Sequence, residues 1–160
     1  MNIVHKHTTA INIILGAIVI GLGALLLLIP RVSDTPKLQS IYFPSGHSIS
    51  IEVVDNVLSR AQGLSGRESI NENYGMLFIH DEPNIPTFWM KGMNFPIDII
   101  WIRNGVVVGI EKEVPIDPGI SADLYSPEQE IDMVLEVKAG FSDMFDVKIG
   151  DILDIRAVSQ

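Results

Sequence analysis

The feature that most constrains this chain is an uncharged apolar run near its N-terminus. The run extends from Ile11 to Ile29 (INIILGAIVIGLGALLLLI) and contains one polar residue, Asn12. As an α-helix rising 1.5 Å per residue, it would span roughly 30 Å, the thickness of the hydrocarbon core of a bilayer. We therefore predict a transmembrane helix or signal anchor over residues 11–30, preceded by an N-terminal tail at residues 1–10.

A cleaved secretory signal is the competing interpretation of this run. Its apolar part would usually be shorter and would end in small residues at a cleavage site, whereas LLLLIPRVSD follows here. An uncleaved anchor is therefore favoured. Residues 31–37 (RVSDTPK) show no apolar periodicity and are typical of a short stalk. The folded domain is expected over residues 38–160.

Charge is distributed unevenly along the chain. All 20 acidic residues, but only ten of the 11 lysine and arginine residues, lie beyond residue 30, which gives that part of the chain a net charge of −10. So acidic a domain argues against nucleic acid and anionic lipid as partners. The chain has no cysteine, which excludes disulfides, thiolate metal sites and a cysteine nucleophile.

Short apolar runs separated by turn residues follow the stalk and predict a β protein. In SISIEVV, Ile49, Ile51 and Val53 alternate with polar residues at the period of a half-buried strand. The pair Asn104-Gly105 predicts a hairpin over Ile99 to Glu111. Further strands are expected in LQSIYF, YGMLFIH, TFWMK, IDMVLEVKAG and DILDIRAV.

Helical and irregular segments are few. Asp55 is a candidate N-cap for a short helix that ends at Gly63 or Gly66, and FSDMFD predicts a second helical turn. Residues 114–130 are predicted to be a long surface loop. Many short strands without alternating β and α units favour a mostly β fold. We expect an antiparallel β-sandwich or jelly-roll-like domain with one or two short helices.

Motifs of common catalytic and metal sites are absent. There is no HExxH helix and no P-loop, and GLSGR fails as a nucleophile elbow because Arg67 replaces its last glycine. The adjacent residues His80-Asp81-Glu82 lack a second clustered pair of ligands and are typical of polar surface. We therefore predict no metal and no cofactor.

Single charges inside apolar strands are the most informative polar positions. Asp98 lies in PIDIIWI and Glu136 lies in MVLEVKA. An unpaired carboxylate in a strand covered on both faces would cost several kcal/mol, so each should meet a cation or a set of N–H donors. Arg67 is the preferred cation, with Asp98 as its expected partner, because a guanidinium can bind both carboxylate oxygens. Alternatively, these charges, Lys91 among them, line a pocket mouth together with Trp89 and Met90.

The same segments resemble a known family. From Ile49 to Ile155 the sequence is similar to the bacterial and archaeal family of domain of unknown function 192. The resemblance rests on five blocks in the same order: Arg60 with Gly63-Leu64 and Arg67-Glu68-Ser69, Gly75-Met76-Leu77-Phe78, Phe88-Trp89-Met90-Lys91, Pro96-Ile97-Asp98-Ile99, and Val134-Leu135-Glu136-Val137 with Ala139-Gly140. It implies a compact β-sandwich or jelly-roll-like domain, exported behind an N-terminal signal or anchor, with no established biochemical activity.

These observations predict a single-pass protein of the cell membrane whose β domain faces outside the cytoplasm. The first functional hypothesis is a non-catalytic module that binds an envelope protein or a small polar ligand. Its expected site residues are Arg67, Phe88, Trp89, Lys91, Asp98 and Glu136. The alternative is a hydrolase of envelope polymers that uses Asp98 and Glu136, roughly 5 to 10 Å apart, as general acid and base. A third hypothesis is a purely structural role in an envelope complex, with the transmembrane helix as the contact.

Overall fold

The computed structural model describes residues 38–117, 119 and 123–157. The predicted N-terminal tail, transmembrane helix and stalk lie outside these residues. Inside them, neither of the two helices has the length and apolar character needed to cross a membrane.

The described part of the chain forms nine strands and two short helices, which confirms the mostly β prediction. The elements in chain order are β1 Leu38–Tyr42, β2 Ser48–Val54, α1 Val57–Gln62, β3 Tyr74–Asn84, β4 Phe88–Trp89, β5 Ile97–Arg103, β6 Val106–Val114, β7 Leu124–Tyr125, β8 Ile131–Lys138, α2 Phe141–Met144 and β9 Asp154–Ala157.

Seven of these strands form one curled sheet in the order β6-β5-β8-β3-β2-β1-β9, and β4 pairs with β7 in a separate two-stranded ribbon. Within the large sheet β2 and β3 run parallel, whereas the other neighbouring strands are antiparallel. The predicted antiparallel pairing therefore holds for five of the six neighbouring pairs and is wrong for β2 and β3. The parallel pair is possible because the connection through α1 returns the chain to the end where β2 began.

Backbone hydrogen bonds join the start of β6 to the segment just before β9. The Val107 N–H donates to the Asp151 carbonyl over 2.9 Å, and the Gly150 N–H donates to the Val107 carbonyl over 2.8 Å. The Leu153 N–H reaches the Gly105 carbonyl over 2.8 Å. The two edges of the curled sheet thus meet at one corner.

The predicted hairpin is confirmed. β5 and β6 pair antiparallel across Asn104 and Gly105, whose φ angles of 51° and 76° are left-handed, as a type I′ turn requires. The Asn104 N–H also donates to the Asp132 carboxylate at 3.0 Å, which ties the turn to the start of β8.

Two local predictions were wrong in detail. The N-cap of α1 is Asn56 rather than Asp55, since the Asn56 Oδ1 accepts the Ser59 N–H at 3.0 Å. The predicted loop at residues 114–130 contains the short strand β7. There Leu124 pairs with Trp89, a contact between distant segments that no local pattern announces.

Apolar side chains cover both faces of the large sheet. On β5, Ile100 and Ile102 belong to a first core cluster, which also contains Phe141 of α2. Ile99 and Trp101 belong to a second cluster, which extends to residues of the α1–β3 connection and the β4 segment. Burial of each such side chain contributes roughly 1.5 to 3 kcal/mol. Because both faces are buried, β5 is apolar without alternation from Ile99 to Ile102, with Asp98 as the charged residue just before this run.

Candidate functional site

A pocket of about 250 Å³ lies on the side of the sheet that the second core cluster covers. Its walls come from the end of α1 and the loop after it, from β3, from the segment leading into β4, and from one residue of β8. Elements that are distant in sequence therefore meet around a single concavity.

Most of the wall is apolar and aromatic. The Phe78 and Phe88 rings meet edge to face with centroids 5.1 Å apart, and Phe88 packs in the same manner on Trp101 at 5.6 Å. Leu64 and Met93 also line the pocket, and Trp89 lines it while remaining 55% exposed. Such a surface is typical of small-molecule sites, where apolar walls surround a few polar groups.

Glu136 is the acidic group of the pocket. In the sheet it stands opposite Met76 of β3 and Ile99 of β5, both of which are buried. Its side chain is buried, and its Oε2 has no hydrogen-bond partner among the described residues. Burial raises the pKa of Glu136 to about 8. At pH 7 the carboxyl group therefore keeps its proton.

Arg60 and His80 supply the remaining titratable side chains of the lining. The Arg60 Nη1 donates to the Ile79 carbonyl over 2.5 Å, which holds the guanidinium against β3. Burial lowers the pKa of His80, and the nearby Arg60 charge lowers it further. His80 is therefore neutral at pH 7, and its Nε2 is buried without a partner among the described residues.

Sequence reasoning did not place Arg60 or His80 in the site. In the sequence, Arg60 stood out only as one of the residues that carry the family resemblance, and His80 only as a possible metal ligand. Strand alternation offered one signal, because His80 lies two residues after Phe78 and must face the same side of β3. No group of three or more His, Asp or Glu residues in the described ranges is placed to hold a metal ion.

The structure brings together three of the six predicted site residues, since Phe88, Trp89 and Glu136 line the pocket. Lys91 is exposed and does not line it, but its backbone carbonyl accepts the Ser65 hydroxyl at 2.8 Å. This bond fixes the loop after α1 to the segment after β4. Lys91 thus contributes through its main chain to the shape of the pocket rim.

The predicted ion pair between Arg67 and Asp98 is wrong. The Arg67 Nη2 lies 2.8 Å from the Glu52 Oε2, and its Nη1 donates to the Tyr74 hydroxyl over 2.9 Å. The Tyr74 hydroxyl in turn donates to the same Glu52 oxygen. Burial alone would raise the pKa of Glu52, but the bonds from Tyr74 and Arg67 outweigh it and lower the pKa. Burial and the bond to Glu52 raise the pKa of Tyr74 to about 12.

Asp98 meets N–H donors in place of a cation. Its carboxylate is fully buried and accepts the backbone N–H groups of Glu113 at 2.9 Å, Gly140 at 3.1 Å and Ser142 at 2.8 Å. Glu113 has a left-handed φ of 52° at an irregular point in the β5–β6 pairing. Asp98 therefore joins β5 to the end of β6 and to the start of α2, and it does not line the pocket.

The two strand carboxyl groups face opposite sides of the sheet. Asp98 has the same parity on β5 as Ile100 and Ile102 of the first cluster, whereas Glu136 has the same parity on β8 as Val134 of the second. They do not meet in one cleft, so the geometry gives no support to a paired acid and base.

Fold and site together define a small, mostly β domain with a ligand-sized pocket beside one face of a curled sheet. Residues 41–155 match the family described as DUF192, "Uncharacterized ACR". The chain belongs to this family, which confirms the resemblance seen in its sequence. No curated protein matches the chain.

Two solved structures show the same fold. A candidate transcription regulator from Sinorhizobium meliloti superposes with a TM-score of 0.70 and 26% identity, covering 77% of this chain and 97% of that one. A protein of unknown function from Novosphingobium aromaticivorans superposes with a TM-score of 0.67 and 24% identity, covering 78% and 89% of the two chains.

Proposed function

We propose that this domain is a non-catalytic binding module whose pocket takes a small ligand with an apolar body. One observation carries the proposal: the buried Glu136 Oε2 lacks a partner among the described residues, in a pocket whose other walls are largely apolar. Native proteins rarely leave a buried polar atom unsatisfied, and a ligand would supply the missing contact. The opposite orientation of Asp98 favours binding over carboxylate-based hydrolysis.

The volume of the pocket limits the size of the ligand. About 250 Å³ accommodates one aromatic ring with a short polar arm. A probe of this kind is 2-phenylethanol, which has roughly nine heavy atoms. At about 0.45 kcal/mol per atom it would bind with a Kd near 1 mM.

Titration of the full-length protein with 2-phenylethanol tests the proposal. We expect saturable shifts in the NMR signals of pocket residues, among them the indole N–H of Trp89. Ala61→Phe should weaken this binding at least fivefold, because Ala61 is an exposed residue of the pocket wall and a larger side chain there would fill the mouth. Leu58→Phe is the matched control, since Leu58 lies on the same helix, is 84% exposed and does not line the pocket. Equal binding by both variants would contradict the proposal.

We also propose that residues 11–30 anchor the chain in a membrane, with the domain outside the cytoplasm. This proposal rests on the uncharged run from Ile11 to Ile29. It also rests on the family resemblance, which implies export behind an N-terminal signal or anchor. A protease applied to intact cells should digest the domain. Complete protection of the domain would contradict this topology.

A role in transcription, as the description of the Sinorhizobium meliloti protein suggests, is not what we propose for this chain. The chain beyond residue 30 carries a net charge of −10, and a DNA-binding surface normally presents clustered lysine and arginine.

A further inference from the structure

Glu136 has no cation beside it on the neighbouring strands. β8 lies between β3 and β5, and the residues opposite Glu136 on these strands are Met76 and Ile99. Both are about 1% exposed. The carboxyl group is therefore flanked by apolar side chains inside the sheet and turns toward the pocket.

Among the described residues, the other titratable side chains that line the pocket are Arg60 of α1 and His80 of β3. Arg60 is engaged with the Ile79 carbonyl, and His80 is neutral at pH 7 because burial and Arg60 lower its pKa. None of the salt bridges within the described residues involves Glu136. The lining residues from the loop after α1 and from β4 carry no charge. Within the described part of the chain, Glu136 thus has no counterion.

We infer that the pocket recognises an ammonium group, with Glu136 as the carboxylate that receives it, an inference that rests on the binding function proposed above. An ammonium group supplies both the N–H donor and the positive charge that are missing from the surroundings of the Glu136 carboxyl group. The rings of Phe78, Phe88 and Trp89 line the same pocket, and aromatic faces attract cations. The acidic balance of the chain favours the approach of a cation over that of an anion.

Binding must be coupled to the loss of one proton. The carboxyl holds its proton at pH 7 in the absence of a cation, and an ammonium favours its ionised form. The O–H proton of Glu136 then passes to solvent while the ligand nitrogen stays protonated. Affinity for an amine should therefore rise between pH 6 and pH 8 and level off above pH 8.

Three matched probes test this inference on the full-length protein at pH 8. They are phenethylamine, its neutral analogue 2-phenylethanol and the anion phenylacetate. We expect the amine to bind at least tenfold more tightly than the alcohol, and the anion to bind most weakly. Calorimetry at pH 7 in two buffers of different ionisation enthalpy should show release of about one proton on amine binding and none on alcohol binding.

Glu136→Gln should lower the affinity for phenethylamine about tenfold, because glutamine offers the ammonium group no negative charge. Glu128→Gln is the matched control, because it makes the same change in charge at an exposed residue outside the pocket. Its amine affinity should equal that of the parent protein. A thermal melt confirms that each variant is folded before titration.

The outcomes separate this inference from the proposed function. Suppose that Ala61→Phe blocks binding of the alcohol, but that phenylacetate binds as tightly as phenethylamine or more tightly. This result would overturn the ammonium inference and leave the binding pocket in place. Binding of none of the three probes would contradict both. A blocked lysine, Nα-acetyl-lysine methylamide, distinguishes the source of the ammonium. Tighter binding of this compound than of phenethylamine would indicate a protein side chain, and weaker binding a free amine.

Discussion

Asp98 and Glu136 lie one position out of register on the neighbouring strands β5 and β8, and their carboxyl groups point to opposite sides of the sheet. Asp98 is opposite Val137, and Glu136 is opposite Ile99. Three backbone N–H groups bind Asp98, whereas the Glu136 Oε2 meets no donor among the described residues. Two carboxyl groups in similar apolar strands thus have different roles. Asp98 stabilises the fold, whereas Glu136 faces the pocket.

Asp98→Asn should lower the free energy of unfolding by about 3 kcal/mol. The asparagine amide carries no negative charge to bind the three N–H donors, and its own NH₂ group would face at least one of them. Urea denaturation at pH 7 measures the loss. Asp146→Asn is the control, since the Asp146 side chain is 74% exposed, and asparagine tolerates its left-handed φ of 56°. A loss at Asp98 no larger than at Asp146 would contradict the buried role.

Glu136→Gln should change how stability depends on pH. The folded-state pKa of about 8 lies above the ordinary value of 4.5, so the folded protein holds a proton that the unfolded chain releases. The carboxyl therefore lowers stability progressively as pH rises from 4.5 to about 8, by up to about 1.4 kcal/mol per pH unit. Below pH 4.5 this effect vanishes.

Urea denaturation of both proteins at pH 5, 6.5 and 8 measures this difference. Glutamine does not titrate, so the variant should gain more than about 1 kcal/mol over the parent between pH 5 and pH 8. Parallel pH profiles would show that Glu136 is not buried as the structure describes.

Arg67 should couple energetically to Glu52 and not to Asp98. A double-mutant cycle with Arg67→Ala and Glu52→Gln should give an interaction of about 0.5 to 1 kcal/mol, because the Arg67 side chain is 36% exposed and solvent screens the pair. The cycle of Arg67→Ala with Asp98→Asn should be additive within about 0.5 kcal/mol. The reverse pattern would restore the ion pair expected from the sequence.

Gly75→Ala should destabilise the centre of the sheet by about 2 kcal/mol, because an added Cβ would lie 2.9 Å from the Leu135 Cδ1 and 3.0 Å from the Glu136 carbonyl oxygen. The oxygen belongs to a paired strand and cannot move freely. Chemical denaturation of Gly75→Ala and Gly75→Val should show the greater loss for valine. Parent-like stability of both variants would contradict the close approach of β3 and β8.

The sequence predicts local structure better than long-range pairing here. The Asn104-Gly105 hairpin and the strand containing Ile49 and Ile51 were predictable because turn chemistry and side-chain alternation are local properties. The parallel pairing of β2 with β3 was not, because it depends on where the α1 connection returns the chain. The contact of Leu124 with the β4 segment likewise joins residues far apart in sequence.

The candidate site was predictable in part for a related reason. Phe88, Trp89 and Glu136 were identified because aromatic residues and a charge in an apolar run are conspicuous. The partner of Arg67 could not be deduced, since β5 and β8 are buried on both faces and their sequences do not reveal which way Asp98 and Glu136 point. Only the tertiary structure assigns each carboxyl group to a face.

The central position of β8 has a consequence for how the chain is made. β8 lies between β3 and β5, yet both of these strands leave the ribosome before it. Until Ile131–Lys138 has emerged, β3 and the β5–β6 hairpin each keep an open hydrogen-bonding edge beside apolar side chains. Such edges favour association with other chains, and the pairings that β8 completes are distant in sequence and slow to form. The large sheet of the nascent domain is therefore completed only after β8 has left the ribosome.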